Sequence, residues 1–357
     1  MASERTVTIG GVTIGGGNPV AIQSMCNTHT QDVEATVRQI RALETAGCQI
    51  VRVAVPDMEA AQAVRGIVDR ISIPLVADIH FDWRLAVCAA ENGVSKLRIN
   101  PGNIGSAENV RRVVDAARMH RIPIRIGVNS GSLEKQIVAQ YGRTPRAMVE
   151  SALMHLEILE KEGFTDAVVS IKASDVATTV EANRLMAKAS GVPLHIGVTE
   201  AGTPAAGRIK SAIGIGTLLM EGIGDTVRVS LTGDPVREIE AAKEILKACG
   251  LRKEGAEVIS CPTCGRTMID LETIADAVNH EVRDLDVPLT IAVMGCVVNG
   301  PGEASGADIG IAGGKDSAAI FKGGEILRTV HGDTQTIIRE LMMEVNRLAD
   351  ERRAQIG

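Results

Sequence analysis

Between residues 20 and 249 the chain alternates short β-branched runs with longer amphipathic stretches, eight times over. The runs are residues 20–25, 50–55, 75–79, 96–99, 124–128, 167–171, 194–198 and 226–231. Their near-continuous apolar character suits strands buried on both faces, as parallel strands are. The stretches between them, 32–46, 107–119 and 146–161 among others, set apolar residues three and four apart with charges between, as helices that cover such a sheet do. Pro74, Pro123 and Pro193 stand directly before three of the runs, where a missing N–H costs nothing because the ladder has not begun. Eight strand–helix units in roughly 230 residues fit a (β/α)8 TIM barrel, whose usual length is about 250, better than an open doubly wound sheet. Residues 7–14, two short apolar runs around Gly10-Gly11, predict a hairpin placed to close the barrel floor.

At 357 residues the chain exceeds one ordinary small domain. The polar stretch 251–255 reads as a linker, and the pattern after it changes to short strands with Gly-rich turns and a terminal helix over 334–355. The predicted division is residues 1–250 and 251–357, the second part a smaller α+β domain. Gly310 to Lys315 lacks the spacing of a phosphate loop and reads as a strand and turn, and no dinucleotide fingerprint is present.

A formal charge of -6 and only one Trp, one Tyr and three Phe argue against a nucleic-acid binder. Seven cysteines, an odd number, with no signal-peptide pattern and no apolar run of spanning length, predict a cytoplasmic protein with reduced thiols rather than a disulfide framework or a membrane protein. Any anion must therefore be held locally.

Three of those cysteines carry chemistry. Cys261 and Cys264 share a Cys-x-x-Cys turn, and Cys296 lies in Met-Gly-Cys-Val-Val-Asn-Gly-Pro-Gly-Glu-Ala. Three thiolates with one side open suit a metal or cluster that meets a substrate as well as carrying charge. Structural zinc is the alternative, but it asks for a fourth Cys or His nearby. Glu303, seven residues beyond Cys296, offers a displaceable carboxylate instead. Cys26, Cys48, Cys88 and Cys249 read as buried, inert thiols.

The barrel adds a second constellation at the C-terminal ends of its strands, where the active sites of such barrels form. It comprises Arg52, Asp78 with His80, Arg98 with Asn100, Arg125 with Asn129, Lys172, Thr199 with Glu200, and Arg228 with Ser230. Neighbouring like charges repel by ~1 to 4 kcal/mol per pair at about 4 Å, so five converging cations are tolerable around a polyanion. Charge-assisted contacts to phosphate return roughly 1.5 to 3 kcal/mol each, and a diphosphate fits.

Gln-Ser-Met at 23–25, Ala-Asp-Ile-His-Phe at 77–81, Arg-Ile-Asn-Pro-Gly-Asn at 98–103, Arg-Ile-Gly-Val-Asn-Ser-Gly-Ser-Leu at 125–133, Thr-Glu-Ala-Gly at 199–202 and both cysteine motifs resemble the bacterial 4-hydroxy-3-methylbut-2-enyl diphosphate synthase family, over nearly the whole chain. Cys26 departs from that pattern, since relatives often carry Thr there. The resemblance implies a TIM barrel joined to a domain holding a 4Fe-4S cluster. It implies an iron-sulfur oxidoreductase of the non-mevalonate isoprenoid pathway that reductively opens 2-C-methyl-D-erythritol 2,4-cyclodiphosphate with two electrons. It makes Cys261, Cys264, Cys296 and Glu303 the cluster ligands, gives the diphosphate to Arg52, Arg98, Arg125, Asn129, Lys172, Arg228 and Ser230, and sets Thr199 and Glu200 near the reacting carbons. Glu200 is then the candidate proton donor. Without a nicotinamide or flavin fingerprint, electrons are expected from a separate carrier, flavodoxin or ferredoxin. A homodimer is expected as well, because the short linker follows a helix that runs away from the rim, so a partner subunit's second domain caps the barrel more readily. The rival readings are a barrel aldolase or isomerase using Lys172 beside a structural zinc domain, and an iron-sulfur sensing module without turnover.

Overall fold

The computed structural model describes residues 3–252, 255–283, 285–297, 302 and 304–356. The chain forms two compact units that divide after Arg252. In the first, eight parallel strands, β3 (Ala21–Met25), β4 (Ile50–Ala54), β5 (Leu75–Asp78), β6 (Lys96–Ile99), β7 (Ile124–Asn129), β8 (Ala167–Lys172), β9 (His195–Ile196) and β10 (Thr226–Val227), run in the order β8-β7-β6-β5-β4-β3-β10-β9. A parallel bridge between Val169 and Leu194 joins the two ends of that order, so the sheet closes on itself as a barrel. The three prolines predicted to open strands do so, and their carbonyls accept from the neighbouring strand: Pro74 from the Val51 N–H, Pro123 from Leu97 and Pro193 from Val169, at 3.0, 3.1 and 3.0 Å.

Helices α1 (Val33–Thr45), α2 (Met58–Val68), α3 (Trp83–Glu91), α4 (Ala107–His120), α5 (Lys135–Tyr141), α6 (Pro145–Lys161), α7 (Val176–Ala189), α8 (Pro204–Met220) and α9 (Val236–Ala248) fill the crossovers. Several start where a short polar side chain caps the first turn: Asp32, Asp57, Ser106, Thr144 and Asp175 each accept an N–H three residues on. Strand and helix faces meet in one apolar layer of Val, Ile, Leu and Ala. Ahead of the barrel, β1 (Thr6–Ile9) and β2 (Val12–Gly15) pair around a two-residue turn, with Gly10 in the left-handed region at φ 57°. Val7, Ile9 and Ile14 of this hairpin pack on Ala21, Ile50, Val76 and Val168 near the strand starts, so it does close the floor.

Two strands are shorter than the sequence predicts. The run 194–198 yields only His195–Ile196, and 226–231 only Thr226–Val227. A Cβ on Gly197 would stand 2.4 Å from the Arg228 carbonyl oxygen, so the two backbones press together there. Beyond that point Thr199 turns to bond Ala173, and Glu200 takes a positive φ of 51°.

The second unit is a five-stranded sheet in the order β11 (Ala256–Ser260), β12 (Leu289–Met294), β13 (Ile309–Gly314), β14 (Ser317–Lys322), β15 (Glu325–His331). The first three strands are parallel and the last two join antiparallel. Helices α10 (Leu271–Glu281) and α11 (Thr334–Ile356) supply Ile274, Val278, Leu341 and Val345 to a core with Ile291, Val293 and Ile311, and a smaller layer with Ala292, Met294, Ala312 and Phe321 forms a separate cluster. Among the described residues no helix is long and apolar enough to cross a membrane.

Candidate active site

Alternate residues on the barrel strands face the same way, and on several strands that row is polar. Lys96 and Arg98 on β6, Gln23 on β3, Arg125 on β7, Ser170 and Lys172 on β8, His195 on β9 and Thr226 on β10 are all buried. Arg52 and Arg228 join them with side chains 12% and 17% exposed. Six cations thus converge, Arg52, Lys96, Arg98, Arg125, Lys172 and Arg228, against two buried carboxylates, Asp78 and Glu238.

The carboxylates set the order within the cluster. Asp78 ties Arg98 at 3.1 Å and Arg52 at 3.6 Å. Burial alone would raise its carboxyl, but Arg52, Arg98 and Arg125 outweigh that and hold it below the usual range. Glu238 reaches in from α9, accepting from Ser24 Oγ at 3.0 Å and from the Leu231 backbone at 3.1 Å, and stands 3.5 Å from Arg228. Arg98 also donates to the Gly127 carbonyl at 3.2 Å. The absence of a side chain at 127 makes this possible, since a Cβ there would lie 2.4 Å from Arg98 Nε.

Deeper in the barrel, Gln23 Oε1 accepts from both Lys96 Nζ and Arg125 Nη1, each at 3.4 Å. Lys172 Nζ lies 3.0 Å from His195 Nε2, and His195 Nδ1 lies 2.8 Å from Thr226 Oγ1. An ammonium only donates, so Nε2 is the acceptor and Nδ1 carries the proton. His195 is neutral: burial first, then Lys172, pushes it well below its ordinary value. Burial, followed by neighbouring arginines, also drives Lys96, Lys172 and Arg125 well down, and lowers Arg52 to about 10. Burial leads each of these shifts and the neighbouring cations add to it, a repulsion that a bound anion would offset. Arg125 Nε, Gln23 Nε2 and Asn100 Oδ1 are buried without a hydrogen-bond partner.

Of the residues singled out from sequence, Arg52, Arg98, Arg125, Lys172 and Arg228 come together with Asp78. Asn129 ends β7 opposite Lys172, while Thr199 and Ser230 are half-buried just beyond β9 and β10. Glu200 and His80 are exposed. Lys96, Gln23, His195 and Glu238 were not singled out, although a lysine two positions from an arginine in a four-residue buried strand is a readable signal. The floor end differs: a recess of about 500 Å³ beside Gly10, Gly11 and Pro74 is lined by no charged side chain.

In the second unit, Cys261 and Cys296 follow the C-terminal ends of the neighbouring parallel strands β11 and β12. The Gly295 N–H donates to Cys261 Sγ at 3.2 Å, which fixes the sulfur beside the start of the Cys296 turn. Cys264 is exposed in a turn closed by Thr267, and the Arg266 backbone N–H, with its side chain, holds its thiol below the ordinary value. Cys296 is buried. The donor set, three thiols of which Cys264 is already shifted toward the thiolate, thus fits a sulfur-liganded iron cluster. Glu303 lies outside the described residues, and among the described residues no three Cys, His, Asp or Glu side chains converge as ligands of a single ion. Of the other cysteines, Cys26 and Cys48 are buried, and burial pushes them up to about 12 and about 11, whereas Cys88 and Cys249 are only half-buried; all seven are free.

Comparison with known proteins finds the GcpE TIM-barrel domain over residues 4–243 and the GcpE protein C-terminal domain over 257–347. The chain is 57% identical over 348 residues to 4-hydroxy-3-methylbut-2-en-1-yl diphosphate synthase (flavodoxin) of Caldanaerobacter subterraneus subsp. tengcongensis, covering 97% of this chain and 98% of that one. It is 60% identical over 339 residues to the protein of the same name from Clostridium perfringens, covering 95% and 97%. Among solved structures, dihydropteroate synthase from Stenotrophomonas maltophilia is similar at a TM-score of 0.50 and 15% identity, over 69% of this chain and 98% of that one, a likeness of fold alone.

Proposed function

Because the chain belongs to the GcpE family along both of its units, we propose that it converts 2-C-methyl-D-erythritol 2,4-cyclodiphosphate to 4-hydroxy-3-methylbut-2-enyl diphosphate by two-electron ring opening and loss of water. The observation that carries this reading is the barrel interior, six cations walled in with two carboxylates. Such an excess suits a ligand with at least two negative charges, and a cyclic diphosphate has them.

Arg52, Arg98, Arg125, Lys172 and Arg228 hold the phosphate oxygens, with Asn129 and Ser230 completing the cradle. Charge-assisted bonds fix the ring and offset the charge that accumulates during reduction. Glu200 hands a proton to the departing hydroxyl, and Thr199 orients the reacting carbons. The positive φ of Glu200 supports this role, because backbone strain concentrates where a side chain must be aimed. Lys172, donating to His195 as an ammonium, gains a counter-charge when the anion arrives.

Cys261, Cys264, Cys296 and Glu303 would hold a 4Fe-4S cluster, which would supply the two electrons, with flavodoxin or ferredoxin as their outside source; free thiols suit a reducing cytoplasm. The working unit is a homodimer in which the substrate in one barrel meets the partner's cluster. An exposed apolar stripe on α8, Ile209, Ile213 and Met220, supports self-association.

Anaerobic purification, iron and sulfide analysis and an assay with reduced flavodoxin test the chemistry: four irons per chain and formation of the allylic diphosphate are expected. A colourless, zinc-containing protein without turnover would refute it. Mixing Cys296→Ser chains with Arg125→Ala chains tests the dimer. Partial recovery of activity in proven heterodimers is expected, and no recovery contradicts the shared site.

A further inference from the structure

The turn after β6, Pro101–Asn103, and the loop after β7 both reach one side chain that belongs to neither. His155, within α6 and fully buried, places Nδ1 3.2 Å from the Gly102 backbone nitrogen and Nε2 2.7 Å from Glu134 Oε1. A backbone N–H only donates, so Nδ1 is the acceptor, the ring proton sits on Nε2, and Nε2–H donates to the Glu134 carboxylate. The fit is close as well as bonded: a Cβ on Gly102 would stand 2.6 Å from a ring carbon of His155.

These two segments continue directly from the strands that carry the anion site. Asn100, buried with an unpartnered Oδ1, precedes the Gly102 turn and follows Arg98 by two residues. Asn129, which ends the strand of Arg125, leads into the loop that Glu134 closes. We propose that His155 is a positioning residue for the substrate: as a neutral imidazole it clamps both rim segments, and gaining a proton on Nδ1 releases the Gly102 turn. The proposal rests on the diphosphate reading above for what the clamped segments hold.

In most histidine–carboxylate pairs protonation tightens the contact. Here the second nitrogen is already taken by a donor, so a proton on Nδ1 would face the Gly102 N–H. Among the described residues, Glu134 is the one charged group that acts on the ring. Burial lowers the His155 pKa, and Glu134 opposes that only in part. The neutral form is therefore the working form at neutral pH, and release belongs below the ordinary histidine value of about 6.5.

Asparagine at 155 can set Oδ1 near the place of Nδ1, accept the Gly102 N–H and never protonate; alanine cannot accept at all. In the holoenzyme, KM for the cyclic diphosphate should rise as pH falls below about 6.5 while kcat holds. His155→Asn should flatten that rise, and His155→Ala should raise KM roughly five- to tenfold at every pH, as the loss of one hydrogen bond does. Amide hydrogen exchange over residues 100–105 and 130–134 should quicken in His155→Ala, whereas in His155→Asn exchange over 100–105 should stay near wild type. Should the alanine variant not fold, His155→Gln, which keeps a donor toward Glu134 and loses the Gly102 acceptor, takes its place. Unchanged exchange over residues 100–105 in the alanine or glutamine variant, or an acid rise in KM that persists in His155→Asn, overturns the clamp. A protein that turns over no cyclic diphosphate would refute the substrate reading, and the exchange measurement would still decide the clamp.

Discussion

In the barrel unit the charged side chains stand on strands, held by ladder register and by one another, whereas in the second unit the three cysteines stand on turns beyond the strand ends. Arg98 has Asp78, His80 and the Gly127 carbonyl around it. Cys264, by contrast, is exposed in a turn closed by its own neighbours. The anion site is thus formed before any ligand arrives, at the cost of like-charge repulsion. Cys264 is placed loosely enough that a bound cluster would do much of its fixing. On the proposed reading, one unit recognises by rigidity and the other assembles around its cofactor.

Substituting the cysteines should separate the two units most sharply. Cys261→Ser, Cys264→Ser or Cys296→Ser should each abolish the iron-sulfur absorption and turnover, with the barrel's thermal transition unmoved. Full cluster content in any one variant would remove that residue from the ligand set. Glu303→Ala should leave some cluster in place while turnover falls steeply.

Next in size are changes to the barrel interior. Asp78→Asn removes one of the two carboxylates that stand among the clustered cations and leaves Arg52 and Arg98 less compensated. The free protein should lose about 3 kcal/mol in denaturant unfolding, and the loss should shrink under saturating cyclic diphosphate. An equal loss with and without ligand would mean that the carboxylate does not offset the cations. Arg98→Ala and Arg125→Ala should each weaken substrate binding by roughly 1.5 to 3 kcal/mol with cluster absorption intact. Gly127→Ala should act on Arg98 by volume alone, raising the substrate Kd without changing any charge.

The smallest effect is in acid. Asp78 has a depressed folded pKa, so its contribution to stability is present above the unfolded value of about 3.9 and is lost as pH falls through the lower folded value. Acid titration of wild type against Asp78→Asn should show that slope in wild type and lose it in the variant.

Much of this was legible in the sequence because a closed parallel barrel writes itself plainly. Each buried strand needs an apolar run and each covering helix a three-and-four pattern, and prolines mark strand starts where no N–H is missed. The rim arginines were legible because charge at the end of an apolar run is conspicuous. The deeper layer was not. Lys96 and Gln23 sit inside runs that read as ordinary strand, and only the side-chain period of two, applied back from Arg98 and Met25, points them inward. Glu238 was hidden differently, for an acidic residue in the first turn of a helix is expected from the helix dipole and expected to be exposed, yet it is buried against Ser24 and Leu231. The early ends of β9 and β10 depend on a backbone approach at Gly197 that no local pattern announces.

The division of labour between the units is tested most directly by phosphorus NMR titration of Cys296→Ser protein with the cyclic diphosphate under reducing conditions. The account predicts binding within about tenfold of wild type and no product. Binding that vanishes with the cluster, or product formed without it, would contradict a barrel that recognises the anion by itself.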